Sequence, residues 1–513
     1  MTAGTASNKS TTSSGAPDAQ PEVPSAARGG SIDLTSGPIG SALLAFALPT
    51  LLASALQSAS GSLDAILVGK LLGSTALAAT ANGNIVMFLV TSFVFGFGMA
   101  ATIYIGQAFG KSDIDQARRI AGTVIGLFVP LSIATAVLGF LLCGRLLSLL
   151  GTDPDVMPLA LAYLKVIFIN MPATMIMTLI MMALRGSGDS RTPLLFVGLS
   201  VAINASLSPF LIAGYGPFPQ LGIGGAALGT LIGNALSLVG LVAYIYARDL
   251  PLRLRKAELR YVLPDPAILK LMAVKGSPIG LQMIVVSTAA LTMLRLVNAV
   301  GVAETAAYAA VQQVWGYVQL PAMALGAAAS AMAAQNIGAD RWDRVATVSR
   351  RGVEFNILLT GTIVLALSVF AAPILSLFLA GESSVLQIGM HILRIATWGY
   401  IAFGITFVLF GTVRANGQVV GPLIVLAISL YPVRVGFAVG AQGWLGTDAL
   451  WWSFPVALVS ACVMAVLLYR YGGWRDGKLL PESLHVASLH LLGRIWSGAD
   501  RDGQSNIGAM PVH

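Results

Sequence analysis

The sequence predicts an all-α polytopic membrane protein of twelve transmembrane helices, arranged as two parallel-repeat six-helix lobes. Three observations lead there. The chain of 513 residues is 56% hydrophobic and only 10% charged, against about 25% in an ordinary soluble domain, so it cannot clothe a water-facing surface. Apolar runs of about 20 residues, the length that crosses a bilayer, follow one another along most of the chain; the short alternating segments of a membrane β-barrel are missing. The chain is also written twice. Gly73, Gly98, Gln107 and Gly110 recur 228 positions later as Gly301, Gly326, Gln335 and Gly338, and Arg185, Gly188 and Pro193 recur 229 positions later as Arg414, Gly417 and Pro422. So constant an offset marks an internal duplication.

Residues 1–37, rich in small and polar residues with no apolar stretch, read as a disordered cytoplasmic tail rather than a signal peptide, so the first span serves as the insertion signal. The first lobe, 38–247, holds spans expected at 41–70, 75–105, 115–148, 155–184, 191–214 and 222–247. Pro251, Pro264 and Pro266 make 248–275 a cytoplasmic linker. The second lobe, 276–470, holds spans at 276–299, 303–333, 343–378, 386–412, 420–440 and 450–470. Residues 471–513 read as a second cytoplasmic tail. Leu484, Ala487, Leu491 and Ile495 recur there at roughly helical spacing, which suits a helix on the membrane surface or an ordinary docked tail. Six spans per repeat is an even number. Both halves therefore enter from the same side, and their pseudo-twofold axis runs along the membrane normal.

Lysine and arginine give the direction. One set of loops and ends carries Lys111, Arg118, Arg119, Arg185, Arg191, the 248–260 cluster, Arg341, Arg344, Arg350, Arg351, Arg414 and Arg470, whereas the opposite set has little beyond Lys70 and Arg145. The positive-inside rule places the rich set and both termini in the cytoplasm of a cell membrane. This accounts for the net charge of +8 without a nucleic-acid partner. The two cysteines, Cys143 and Cys462, lie in apolar spans and read as buried small residues.

An ionisable group inside a bilayer costs at least about 2.5–3.5 kcal/mol and needs a reason. Asp64 is the one carboxylate placed well inside the first lobe, six residues before Lys70 and so about 9 Å from the outer end of its span. Its repeat counterpart falls near Thr292 or Met293, where no acid is kept. Asn204 and Ser208 share one helix face in span 5, Pro209 follows them, and Thr230 lies about two turns into span 6. All four side chains fall in the outer half at similar depth. A carboxylate with an amide and hydroxyls can hold a proton or a small hard cation such as sodium, with no other metal implied. Lys165 in span 4 is the alternative: a static charge partner for Asp64. Its repeat mate is Arg394, which favours a shared structural role for the two. Glu354 is in reach of Arg350 and Arg351 for a local pair, and Arg434 in span 11 has no evident partner. Gln57, Asn82, Gln282 and Gln312 are candidates to line a substrate cavity, interhelical hydrogen bonding being the commoner use of such groups. Met175, among the methionines of span 4, suits either an adaptable cavity wall or plain packing.

Those residues resemble the multidrug and toxic compound extrusion (MATE) family. The motifs are, in chain order, LDAILVGKLLGSTALAAT, GQAFGKSD, LRGSGDSRTP, GIGGAALGT, AQNIGADR and VRANGQVVGP, over about residues 40–470. Similarity to the DinF-like branch is greatest. The resemblance implies a V-shaped exporter of two six-helix lobes that alternates between inward and outward openings. It implies organic, cationic and amphipathic substrates, and antiport against protons or sodium. It assigns the essential acid of span 1 to Asp64 and matches Asn204 and Thr230. The branch's span-5 acid is here Ser208, so a shared two-acid site is in doubt. The expected partners are a small organic substrate and the bilayer, with the chain acting as a monomer and without a cofactor.

A flippase for lipid-linked intermediates is the nearest rival within transport, kept open by Lys165, Arg394 and Arg434. A major-facilitator transporter matches GKSDIDQARR poorly. A membrane enzyme is disfavoured: the four histidines sit beside no intramembrane acid at catalytic spacing, and HExxH and GxSxG are missing.

Overall fold

The computed structural model describes residues 33–149, 151–214, 219–379 and 383–476. The first lobe is α1 (Ile39–Leu72), α2 (Ser74–Gly110), α3 (Ile114–Leu149), α4 (Met157–Gly186), α5 (Arg191–Ala213) and α6 (Ile223–Ala247). A short 3₁₀ helix, Lys256–Val262, leads to the second lobe: α7 (Pro266–Asn298), α8 (Val302–Gly338), α9 (Trp342–Val369) and the short α10 (Ala371–Ser376). Then come α11 (Ser383–Ala396), α12 (Gly399–Ala415), α13 (Val420–Ile428), a π-helical turn at Ser429–Val435, α14 (Gly436–Gly440), α15 (Gln442–Leu445) and α16 (Asp448–Tyr471). Eleven stretches are long and apolar enough to cross a membrane, and the bent pair α11–α12 makes a twelfth. The all-helical, twelve-span architecture expected from the sequence is the one observed.

Three boundaries depart from expectation. Span 10 is broken by 48° between α11 and α12, with no proline to announce it. Trp315 Nε1 donates to Thr397 Oγ1 at 3.1 Å beside the break, and Gly399 sits so close to Pro455 of α16 that a side chain would collide. Helix α7 begins at Pro266, with Asp265 as its N-cap accepting from the Ala267 amide, so the last ten residues of the expected linker belong to the helix. Residues 33–37, read as tail, are instead tied to the second lobe. Asn336 Nδ2 donates to the Leu34 carbonyl at 2.9 Å, and Arg344 donates to the carbonyls of Ser36 and Gly37. Residues 1–32 and the surface-helix candidate at 482–496 lie outside the described residues.

The end of the bundle bearing the arginine-rich turns, hereafter the basic end, is where the lobes close on each other. Repeat mates meet across the pseudo-twofold axis. Gly110 abuts the Gln335 carbonyl while Gly338 abuts the Gln107 carbonyl. Gln107 Nε2 donates to the Ala415 carbonyl at 2.7 Å, and Gln335 Nε2 donates to the Gly186 carbonyl at 3.0 Å. Glycine is required at 110 and 338 because a Cβ would overlap the opposing backbone. Farther in, Gly96 of α2 lies against Gly276 and Gly280 of α7.

The linker clings to α3. Tyr261 and Val262 lie against Gly122 and Gly126, and Arg118–Glu258 at 2.8 Å and Arg119–Asp265 at 2.6 Å are half-buried ion pairs. Helix α1 belongs to both lobes. Leu43, Phe46 and Ala47 at its basic end share a core with Leu325, Ala328 and Val348, whereas its outer half packs on α5. Pro49 lies between the two parts and removes one helical hydrogen bond there.

Candidate functional site

The polar residues picked out in the first lobe come together around one amide. Asn204 Nδ2 donates to Asp64 Oδ1 at 3.0 Å and Oδ2 at 3.1 Å. Its Oδ1 accepts from Ser208 Oγ at 2.8 Å and from Thr230 Oγ1 at 3.3 Å. Two hydroxyl donors on the oxygen fix the amide with its NH2 toward the carboxylate. Ser208 and Thr230 therefore reach Asp64 only through Asn204. Ser60, one turn before Asp64, accepts from the same Nδ2 at 3.3 Å; its i−4 spacing from Asp64 was the signal that would have found it.

Helix α6 can deliver Thr230 because its inner stripe is glycine. Gly225 lies against the Leu211 carbonyl, Gly229 against Ser208 and Asn204, and Gly233 against the Ser200 carbonyl. This spacing of small residues lets α5 and α6 approach closely. One turn nearer the basic end a second network continues the first. Ser200 donates to Asn234 Oδ1 at 2.8 Å, and Asn234 Nδ2 donates to Thr174 at 3.1 Å and Asn170 at 3.4 Å. Sequence reasoning missed these groups, which are ordinary residues until packing aligns them.

The charge partner does not form. The Lys165 ammonium lies over the Phe140 ring, 5.6 Å from its centroid. Among the described residues no cation is within ion-pairing range of Asp64. Phe140 of α3 gives that ammonium a cation–π contact in place of the carboxylate. Arg394 lines a separate cavity of about 230 Å³ with Thr397. Glu354 pairs with Arg350 at 3.0 Å and Arg351 at 2.8 Å.

A cavity of about 380 Å³ lies between the lobes, within the range of drug-sized sites. Gln282 and Gln312 line it as expected. Met175 does not: it is buried in the first lobe's core, and Met182 lines the cavity instead. Gln57 is exposed but off the cavity wall. The Asn82 side chain lies outside the described residues. Arg185 and Arg414, read as basic loop residues, are buried or half-buried at the helix ends and reach into the cavity, as does Arg434.

A helical bundle with an acid–amide site in one lobe and a cavity between two duplicated lobes defines a membrane transporter. The chain belongs to the MATE family, whose model, described as MatE, matches residues 49–210 and 278–439. It is 35% identical over 428 residues to a probable multidrug resistance protein, YoeA, of Bacillus subtilis, covering 83% of this chain and 92% of that one. It is 33% identical to a second, YpnP, from the same organism over 88% of this chain and 99% of that one. A FAD transporter of Shewanella oneidensis is 27% identical over 76% of this chain and 86% of its own length. Among solved structures, a MATE transporter in complex with MaL6 superposes with TM-score 0.80 at 20% identity, covering 86% of this chain and 98% of that one. The family consists of transporters, and this chain is a transporter of the membrane, not an enzyme.

Proposed function

We propose that this chain is a secondary active exporter of small organic compounds that exchanges them for protons through the Asp64 site. Its named relatives are multidrug resistance proteins and a FAD transporter, which supports a small-molecule cargo. The carrying observation is the Asn204 amide spread over both oxygens of Asp64. That geometry suits a carboxylate able to gain and lose a proton. It suits sodium less well. Asn204 Oδ1 already accepts from Ser208 Oγ and shares the Thr230 hydroxyl with the Ala226 carbonyl, leaving few free oxygens beside Asp64 for a cation that takes several.

The basic end faces the cytoplasm in this reading, so a structure closed there is the outward-facing state. A proton entering from outside loads Asp64 and turns one carboxylate oxygen from acceptor to donor, which disturbs the Asn204 contact and shifts the outer half of α1. Because the basic end of α1 is packed into the second lobe, that shift is felt at the lobe interface. One inward proton supplies about 2.3 kcal/mol per 100 mV and about 1.4 kcal/mol per pH unit. A gradient of ~3–4 kcal/mol sustains a concentration ratio of a few hundred, so a second acid at position 208 is unnecessary. Each chain carries both an ion site and a cavity, which supports action as a monomer in the cell membrane. The flippase reading is weaker, because of the three cations that kept it open only Arg434 lines the cavity, while Lys165 and Arg394 stand away from it.

The test is efflux from vesicles holding the purified protein, with pH and sodium gradients imposed separately. A pH gradient alone should drive wild-type efflux, and Asp64→Asn should remove that response. Undiminished pH-driven efflux by Asp64→Asn defeats the proposal, and a response to sodium alone reassigns the ion.

A further inference from the structure

The polarity of the inter-lobe cavity is opposite to that expected for a cationic cargo. Arg185, Arg414 and Arg434 line it, and no aspartate or glutamate does among its described lining residues. Among the described residues none of the three is in an ion pair. The Nε atom of each is buried without a hydrogen-bond partner. Arg414, only 6% exposed, spends one NH2 group on Gln282 Oε1. Arg434 stacks on Phe454, 3.7 Å from the ring centroid, beside the Tyr308 and Tyr400 phenols.

Position adds to charge. Arg185 and Arg414 are repeat mates in the last turns of α4 and α12, and both line the cavity at its floor near the basic end. Arg434 is 14 residues beyond Val420, about 20 Å from the basic end. It sits in the π-helical turn containing Pro432, the kind of helix defect that recurs at functional sites. The rest of the cavity wall is aromatic and sulfur-rich, with Phe88, Phe95, Phe403, Phe407, Met99 and Met323. Guanidinium groups buried in a bilayer without counter-charges are costly unless something negative visits them. Planar guanidinium forks suit carboxylates, sulfonates and phosphates.

We propose that the cargo is a free amphiphilic organic anion with an aromatic body. Its acidic head is received by Arg185 and Arg414 at the floor, and Arg434 is the next station toward the opening. This rests on the transporter reading above and names its substrate class. An anion leaving while a proton enters moves two net charges in the direction an inside-negative potential favours. A monovalent cation leaving for a proton moves none.

Purified full-length protein in neutral detergent is titrated with pyrenesulfonate and with a trimethylammonium derivative of the same ring. The sulfonate should bind about tenfold or more tightly. Arg185→Gln and Arg414→Gln should each weaken the sulfonate by about tenfold while leaving the ammonium within about twofold. Arg414→Lys, which keeps the charge, should recover most of the affinity, and Lys165→Gln, at a cation that rests on Phe140 away from the cavity, should leave sulfonate binding within about twofold. Equal binding of the two probes, preference for the ammonium, or equal loss of both in correctly folded variants overturns the assignment. Displacement of the sulfonate by added phosphatidylglycerol would transfer the site to a lipid headgroup and overturn the free anion. In vesicles an inside-negative potential should accelerate sulfonate efflux; no acceleration counts against it. The two readings fail separately. Loss of the anion preference with Asp64→Asn still blocking pH-driven efflux sinks only this inference, whereas unchanged coupling in Asp64→Asn sinks the reading beneath it.

Discussion

The two lobes descend from one repeat but carry opposite charge. In the first, Asp64 of α1 meets Asn204 of α5. In the second, the position equivalent to Asp64 falls at Thr292 or Met293. Thr292 bonds its own helix at the Thr288 carbonyl, 2.9 Å away, and Met293 is fully buried. The position equivalent to Asn204 is Val433, with Arg434 beside it. One lobe therefore holds an acid in a neutral polar nest, and the other turns Arg434 toward the cavity near the equivalent position. Duplication preserved the helix scaffold and the glycines that let it pack, while the two intramembrane sites diverged. In the proposed cycle, loading of the Asp64 site is felt at the cavity through α1, which packs in both lobes.

Six substitutions break or sharpen that comparison. The largest effect belongs to what the lobes still share. Gly110→Val drives a side chain into the Gln335 carbonyl and should prevent closure of the basic end. Transport should fall by about tenfold or more, with faster hydrogen exchange at the ends of α2 and α8, and Gly338→Val should behave alike. A marked difference between these two would break the pseudo-symmetry. Asn204→Leu should lower pH-driven efflux by about tenfold, because Asp64 is left half-buried without its donor, whereas Val433→Leu in the other lobe should be nearly silent. Ser208→Ala removes one of two donors to Asn204 Oδ1, a change of about 0.5–1.5 kcal/mol, and should slow efflux by a few-fold in the same assay. Lys165→Ala should leave coupling within about twofold, since its charge rests on Phe140; a collapse of pH-driven efflux would restore it as the partner of Asp64.

Much of this was legible in the chain. Depth along each span brought Asp64, Asn204, Ser208 and Thr230 to one level, and helix periodicity put Asn204 and Ser208 on one face. The hub role of Asn204 was not legible, because amide orientation depends on which donors surround it. Lys165 shared the depth of Asp64 but not its direction, and rotation about a helix axis relative to its neighbours leaves no mark in hydropathy. Arg185 and Arg414 were counted as loop charges for the same reason: a helix-end arginine can reach into water or back into the bundle. The break at Thr397 lacks a proline because Trp315 and the close approach of Gly399 to Pro455 hold it from outside.

The sequence by itself determined the solvent of this protein, its twelve crossings, its duplication and the identity of its one deep acid in the first lobe. Those follow from composition and period, which are properties of the chain taken one residue at a time. Only the tertiary structure decided which polar groups touch, that no cation among the described residues pairs with the acid, and that three arginines share one cavity. Contacts of that kind depend on how helices rotate and approach one another, and it is interhelical packing, summed over the whole bundle, that sets both.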